Sequence, residues 1–277
     1  MAKNHVPGSS DVGTLYDRMS EVLMEALGDN IHYGFWDDDN DDTPVREATD
    51  RLTDMVAQRL DLAAGARVLD VGCGTGRSTL RIADRHRAHV TGVTLSPREV
   101  QLAMTQPGVG LGIGQATFQL ADAMELPFPD GHFDSAYAIE SIAHMPDRGK
   151  AIAEIARTLR PGGRLVIQDF FLAHTPTPRE LEALTAVWDI FEFPPFGTQK
   201  DFEDDITAAG LDLVAYENIT TNLRRTMRLI VSTLRSKAEE PEIEKETRDF
   251  LAELVVALEQ LMATGIIRHS LITARRR

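Results

Sequence analysis

Three glycines at alternate positions form the motif with the clearest chemical meaning in the chain. The segment from Arg67 to Arg77 reads R-V-L-D-V-G-C-G-T-G-R, so an apolar run ends at an acid and then at Gly72, Gly74 and Gly76. This pattern predicts a buried strand, a tight turn and a helix that begins near Arg77. Glycine suits such a turn because it adopts positive φ and lets a ligand approach the bare backbone. The motif therefore predicts a ligand-binding loop.

The spacing of these glycines argues against the common phosphate-binding loops. A dinucleotide fingerprint reads G-x-G-x-x-G and a P-loop ends in G-K-S or G-K-T. Here the loop reads G-x-G-x-G and is followed by Arg77 and Ser78. A glycine-rich turn in an unrelated α/β protein is the alternative to a ligand site.

Strands and helices alternate around this loop, which predicts the α/β class. We predict strands at 67–71, 89–95, 117–120, 133–139, 164–171, 211–219 and 266–274, and helices at 12–27, 45–60, 77–86, 97–105, 147–159 and 200–209. Such alternation builds a doubly wound, mostly parallel sheet, here of seven strands. Ligands bind such sheets beyond the carboxyl ends of the strands, where the glycine loop lies.

The pattern changes after residue 172. Residues 173–198 are apolar and contain Trp188, Phe191, Phe193 and Phe196, and residues 221–265 have the spacing of two helices. Two helical insertions late in the sheet predict a cap that encloses a small substrate, with a dimerisation arm as the alternative. We divide the chain into a helical lid and lead-in (1–60), a cofactor-binding core (61–172) and the remaining sheet with its cap insertions (173–277).

Composition excludes several classes of partner. The net charge of −14 argues against binding to nucleic acid or to an anionic membrane surface. The chain lacks an apolar run long enough for a membrane span and a leader typical of export, so we expect a cytoplasmic protein. Its single cysteine, Cys73, excludes an internal disulfide, and the acidic residues 37–42 show no metal-ligand spacing, so no metal site is predicted.

Five motifs in order resemble the class I S-adenosylmethionine-dependent methyltransferases: D-V-G-C-G-T-G, V-T-G-V-T-L-S-P, D-A-M-E-L-P-F-P-D-G-H-F-D, H-M-P-D-R and L-R-P-G-G-R-L. The segments I-H-Y-G-F-W, E-S-I-A-H-M-P-D-R and I-Q-D-F are most similar to small-molecule methyltransferases of natural-product biosynthesis, such as those acting on sugar hydroxyls. The resemblance implies the fold, the cofactor S-adenosylmethionine and a small-molecule substrate. It leaves open whether oxygen, nitrogen or carbon is methylated, and whether the protein is a homodimer.

The resemblance also assigns residues to the cofactor. It places Asp70, Gly72 and Gly74 at the methionine end of the cofactor. Tyr16 and Tyr33 fit positions that close over it, with simple packing as the alternative for each.

Further assignments concern the adenosine end. Asp122 corresponds to the carboxylate that accepts from the adenine amino group, with Ala123 and Met124 lining the ring. A carboxylate suits this role because it offers only acceptors. Many relatives carry an acid at the end of the second strand to bind the ribose hydroxyls, and this chain has none there. Ser96 or Gln101 is predicted to take over that contact.

His144 is the leading catalytic candidate. It follows the fourth strand, and a neutral histidine is the usual base for a hydroxyl acceptor at neutral pH. Asp169, at the end of the fifth strand, is predicted to orient His144 or to accept a substrate proton, and Glu140 is a further carboxylate near the cofactor. The alternative for His144 is a structural role in the following turn. Sugar O-methyltransferases usually have two adjacent histidines here, and Ala143 replaces the first, so nitrogen or carbon acceptors that need less base help stay open.

Aromatic residues predict the character of the acceptor. Tyr33, Phe35 and Trp36 are expected to roof the substrate site, together with the aromatics of residues 173–198. These side chains favour an apolar or aromatic acceptor, with core packing as the alternative.

Overall fold

A computed structural model describes residues 26–28, 30–106, 114–191 and 193–277, and a seven-stranded sheet organises them. The sheet order is β3-β2-β1-β4-β5-β7-β6. Strand β7 runs antiparallel to both of its neighbours and the other strands are parallel. The strands are β1 (Arg67–Val71), β2 (His89–Thr94), β3 (Gln115–Leu120), β4 (Phe133–Ile139), β5 (Leu159–Leu172), β6 (Leu211–Asn218) and β7 (Ile267–Arg276).

Eight α-helices are described between and around these strands. They are α1 (Val45–Leu60), α2 (Arg77–His86), α3 (Pro97–Thr105), α4 (Arg148–Thr158), α5 (Pro178–Phe191), α6 (Gln199–Ala208), α7 (Thr220–Ala238) and α8 (Lys245–Thr264). None of the helices in the described ranges is long and apolar enough to cross a membrane.

Helices cover both faces of the sheet, which confirms the predicted doubly wound α/β architecture. One buried cluster joins the sheet to Leu52 of α1 and Ile82 of α2. A second cluster on the other face joins it to Ile155 of α4 and Phe202 of α6. The strand order reverses between β1 and β4, and the crevice at such a switch point is where ligands bind in this architecture.

The segment Pro161-Gly162-Gly163 lies within β5, which begins at Leu159 and not at the predicted residue 164. The pairing of β5 with β4 shifts from Phe133–Leu159 to Ser135–Arg164, so the regular register is interrupted at this segment. Gly162 has φ +79°, a backbone conformation that favours glycine. The predicted start of the strand was wrong because proline and glycine usually mark turns, whereas here they lie in an irregular part of a paired strand.

The cap helices are inserted where the sequence pattern predicted them. Helix α5 follows β5, and α7 and α8 lie between β6 and β7. Buried leucines of α7 and α8 join one cluster with Leu184 of α5, so the three helices pack into one layer. The helix predicted over 12–27 lies almost entirely outside the described residues.

Candidate active site

The glycine loop follows β1 and is shaped by two residues that tolerate no side chain. Gly72 has φ +78°, and a Cβ atom there would overlap the side chain of Ser141. Gly76 has φ +81° at the start of α2, and a Cβ there would lie 2.7 Å from Phe118. Gly74 has φ +52° but faces open space, since a Cβ added there would come no closer than 3.9 Å to Ile31. The loop is therefore tightly packed at both ends and open at its middle.

The open side of the glycine loop borders a cavity of about 140 Å³, which we call the loop cavity. It lies at the carboxyl ends of β1, β2 and β4, at the switch point of the sheet. Seven of the predicted cofactor residues line it together with His144: Gly72, Gly74, Ser96, Asp122, Ala123, Met124 and Glu140. The structure therefore brings residues from four separate loops to one place, and their roles stay predictions.

Asp122 is held in position by its own loop. Its carboxylate accepts a hydrogen bond from the backbone N–H of Met124 at 2.8 Å. Ser96 is fixed in a similar way, because its hydroxyl accepts from the backbone N–H of Glu99 at 3.2 Å and caps α3. Both side chains enter the loop cavity from a preorganised turn.

Asp70 lies behind the glycine loop. One carboxylate oxygen accepts hydrogen bonds from the hydroxyls of Thr79 and Tyr137, each at 2.6 Å. Asp70 is 2% exposed, and burial raises its pKa to about 6. These contacts tie the end of β1 to α2 and β4 and so support the glycine loop.

Gln101 does not reach the loop cavity, whereas Glu99 does. Gln101 is exposed on α3. Glu99 lines the cavity and accepts a hydrogen bond from the hydroxyl of Thr94 at the end of β2. Glu99 lies in the first turn of the helix, near the strand end, while Gln101 is on another side of the helix. The structure therefore does not bring Gln101 to the loop cavity, and Glu99 is a residue that the sequence analysis missed.

A second, apolar cavity of about 120 Å³ adjoins the first, and we call it the apolar cavity. Three residues line both cavities: Ile31, Glu140 and His144. The remaining wall comes from the cap and from β5 and β7. It includes Tyr33, Phe170, Val187, Phe191, Phe193, Phe196, Met227, Ile230, Leu258, Leu261 and Ile267.

His144 ends a short 3₁₀ turn, Ile142–His144, directly after β4. Its ring packs on the ring of Phe193 with centroids 4.3 Å apart. The apolar surroundings lower the pKa of His144 to about 3, because burial penalises the charged imidazolium. The imidazole is therefore neutral at neutral pH.

Asp169 lies beneath the His144 turn. Its carboxylate accepts from the backbone N–H of Ala143 at 3.0 Å and of Phe170 at 2.8 Å. The residue is 0% exposed, and burial raises its pKa to about 7. A side chain with no exposed surface cannot take a proton from a substrate in the cavity, so that prediction does not fit the structure. Its contacts position the turn and not the imidazole itself.

Glu140 occupies the junction of the two cavities in a strained conformation. Its φ of +50° is unusual for a residue with a side chain. The carboxylate accepts from the backbone N–H of Tyr33 at 3.0 Å, and burial raises the pKa of Glu140 well above its usual range. Glu140 thus ties the N-terminal segment to the end of β4.

The aromatic roof is only partly as predicted. Tyr33 lines the apolar cavity and not the loop cavity, so its predicted closure over the cofactor does not fit the structure. Trp36 is 1% exposed and donates its indole N–H to the carbonyl of Thr43, which makes it a core residue. Phe35 packs against the core, and Tyr16 lies outside the described residues.

The chain is similar to known proteins over nearly its whole length. Residues 69–167 match the family model described as a methyltransferase domain. The O-methyltransferase resE of Aspergillus sclerotiorum is 37% identical over 98% of this chain and 98% of its own length. The chain belongs to the class I S-adenosylmethionine-dependent methyltransferases. This confirms the resemblance found in its motifs.

Other relatives of this methyltransferase show the range of the family. The 27-O-demethylrifamycin SV methyltransferase of Amycolatopsis mediterranei is 44% identical over 64% of each chain. Among solved structures, the [4+2]-cyclase SpnF superposes with a TM-score of 0.82 at 30% identity, covering 98% of this chain and 97% of its own. A mycolic acid cyclopropane synthase complexed with SAH and CTAB has a TM-score of 0.84 at 18% identity, covering 99% of this chain and 100% of its own, which shows the fold alone.

Proposed function

We propose that this methyltransferase transfers the methyl group of S-adenosylmethionine to a hydroxyl of an apolar small molecule, with His144 as the base. The observation that carries the proposal is the position of His144. It lines both the loop cavity and the apolar cavity, so one imidazole faces the two sites that must meet for methyl transfer.

The loop cavity fits the cofactor by its shape and by its polar groups. Gly74 leaves open backbone where a Cβ would otherwise project, which suits close approach by the methionine end. The carboxylate of Asp122 suits the adenine amine, and the carboxylate of Glu99 suits the ribose hydroxyls, because each offers acceptors to groups that donate. We therefore assign Glu99 to the ribose contact, for which the sequence predicted Ser96 or Gln101; Ser96 lines the same cavity.

The chain's contribution to the reaction is mainly alignment. Bound S-adenosylmethionine supplies an activated methyl group for in-line displacement. Ile31, Glu140 and His144 form the junction through which the acceptor must approach, and the aromatic wall excludes water from it. Phe193 packs on the imidazole and fixes its direction. Neutral His144 would take the proton of the acceptor hydroxyl as its oxygen displaces S-adenosylhomocysteine from the methyl carbon.

Oxygen is favoured over nitrogen or carbon as the acceptor atom. The relatives at 37% and 44% identity are named as an O-methyltransferase and as a methyltransferase of 27-O-demethylrifamycin SV. A neutral histidine at the junction also supplies a base, which a hydroxyl acceptor needs and a deprotonated amine does not need. Methylation of an amine or of an electron-rich ring carbon is the alternative.

The test is to incubate the protein with S-adenosylmethionine carrying a ¹³C-labelled methyl group and with matched apolar phenols, alcohols, amines and indoles. We expect a labelled methoxy carbon by NMR, together with release of S-adenosylhomocysteine. A His144→Gln variant should bind S-adenosylhomocysteine like the parent and form little product. Label that appears on nitrogen or carbon would contradict the assignment of oxygen as the acceptor atom. Full activity of the His144→Gln variant would show that His144 is not the base.

A further inference from the structure

A third cavity lies beside the apolar cavity and is rich in arginine. We call it the arginine cavity. It shares five lining residues with the apolar cavity, which places the two next to each other: Tyr33, Met227, Leu258, Leu261 and Ile267. Its other wall includes Arg224, Arg228 and Arg268. The cavity is therefore apolar on the side towards the proposed acceptor and cationic on the far side.

The positive charge of this cavity is only partly neutralised. Arg224 and Arg228 share one carboxylate, that of Asp39. Arg268 donates to the backbone carbonyls of Gly265 and Ile267, which carry no formal charge. None of the described residues that line the cavity is acidic. A surplus of guanidinium groups is unusual on a chain of net charge −14 and indicates a binding site for an anion.

His269, which lines this cavity, also holds a buried polar atom. His269 is 6% exposed, and its Nδ1 has no hydrogen-bond partner among the described residues. Its ring is tilted against that of Tyr33 and meets that of Phe170 edge-on, with centroids 4.8 and 5.2 Å away. Because nearly all buried polar atoms in folded proteins have a hydrogen-bond partner, a polar ligand in this cavity would explain the unpartnered Nδ1.

From this arrangement we propose that the acceptor carries a carboxylate at the end remote from the methylated hydroxyl, bound by Arg228 and Arg268 in the arginine cavity. The inference rests on the proposed function, which places the hydroxyl at His144. The apolar body would cross the shared wall between Tyr33 and Met227, and the long flexible methionine can move aside for it. A carboxylate fits better than a diphosphate, since no cluster of metal-binding residues occurs in the part of the chain that the structure describes.

The test compares two probes that differ only at one end, 10-hydroxydecanoate and 1,10-decanediol. Their affinities are measured by isothermal titration with S-adenosylhomocysteine present. We expect the parent to prefer the carboxylate by about fivefold or more, because a carboxylate forms charge-assisted hydrogen bonds with arginine. Higher ionic strength should reduce this preference, since the arginines are partly exposed.

Two arginines of α7 make a matched pair of variants. The side chains of Arg228 and Arg235 are each 54% exposed and each pairs with an acid, but only Arg228 lines the cavity. Arg228→Gln and, separately, Arg268→Gln should remove most of the preference, whereas Arg235→Gln should keep it. Equal affinities of the two probes for the parent, or an equal loss in all three variants, would overturn the proposal. The readout is binding, so it can succeed or fail independently of methyl transfer.

Discussion

The loop cavity and the apolar cavity adjoin but are built by different means. The loop cavity is formed by short turns that follow the parallel strands, with glycine backbone and fixed carboxylates. The apolar cavity is formed by side chains from segments far apart in the chain, among them Tyr33, Phe193 and Leu258. Backbone geometry therefore shapes the first and side-chain packing shapes the second. We expect the first to tolerate little change and the second to tolerate much more.

The largest expected effect comes from adding a methyl group to the glycine loop. Gly72→Ala should lower the free energy of unfolding by roughly 2 to 5 kcal/mol and abolish binding of S-adenosylhomocysteine, because positive φ and a clash with Ser141 add together. Gly65→Ala is the matched control, since Gly65 has φ +79° with nothing within 4 Å. It should lose about 1 kcal/mol and bind normally. Thermal unfolding would measure the stability of the two variants, and calorimetry would measure their binding of S-adenosylhomocysteine. Normal binding by Gly72→Ala would contradict a rigid loop.

Removing the base should give the next largest effect. His144→Gln should lower kcat by about a hundredfold to ten-thousandfold, with unchanged affinity for S-adenosylhomocysteine. His132→Gln, a change of the same type at a ring that packs on Phe128 and Phe133, should keep the parental kcat. Single-turnover rates with a hydroxyl acceptor would measure both, and a similar rate in both variants would mean that His144 is not the base.

The pH dependence sharpens this prediction. A base with a pKa of about 3 stays neutral down to pH 5, so the parent's advantage over His144→Gln should hold from pH 8 to pH 5. A histidine with an ordinary pKa near 6.5 would lose about thirtyfold over that range. A loss of that size would contradict the apolar surroundings proposed for His144.

A smaller effect is expected in the apolar cavity. Phe193→Ala should raise KM for an apolar acceptor about fivefold to tenfold and leave cofactor binding unchanged, because it removes one apolar wall among several. Phe128→Ala is the control, since Phe128 packs on Phe133 away from both cavities. Weakened cofactor binding in Phe193→Ala would show that the two cavities do not act separately.

The smallest effect distinguishes two neighbouring positions of α3. Glu99→Ala should weaken binding of S-adenosylhomocysteine by up to about tenfold, while Gln101→Ala should change it less than about twofold. The reason is that only the Glu99 side chain borders the loop cavity. Calorimetry on both variants would decide, and a larger loss in Gln101→Ala would restore our first assignment.

The contrast between the cavities also explains which parts were predictable from sequence. Parallel strands end at one edge of a sheet, so the placement of Asp122 and His144 at one site follows from the strand pattern alone. The choice between Glu99 and Gln101 depends on helix phase, which the strand pattern does not give.

Side-chain packing was harder to predict. Trp36 and Tyr33 lie in one aromatic segment, yet one is core and the other lines a cavity. Trp36 is held by a hydrogen bond to Thr43, and Tyr33 contacts Met227 of the cap. Neither contact follows from the spacing of residues in the sequence. The meeting of Arg228 with Arg268 in one cavity also depends on packing, because the two arginines come from different elements.

The most direct test of the central claim is titration of S-adenosylhomocysteine into the parent, Asp122→Ala and Asp130→Ala. Asp122 lines the loop cavity, whereas Asp130 is 74% exposed and pairs with Arg157, so it serves as the matched control. We predict binding by the parent and by Asp130→Ala, and binding at least about tenfold weaker by Asp122→Ala. A folded parent that does not bind, or equal binding by all three proteins, would contradict the assignment of the loop cavity to the cofactor.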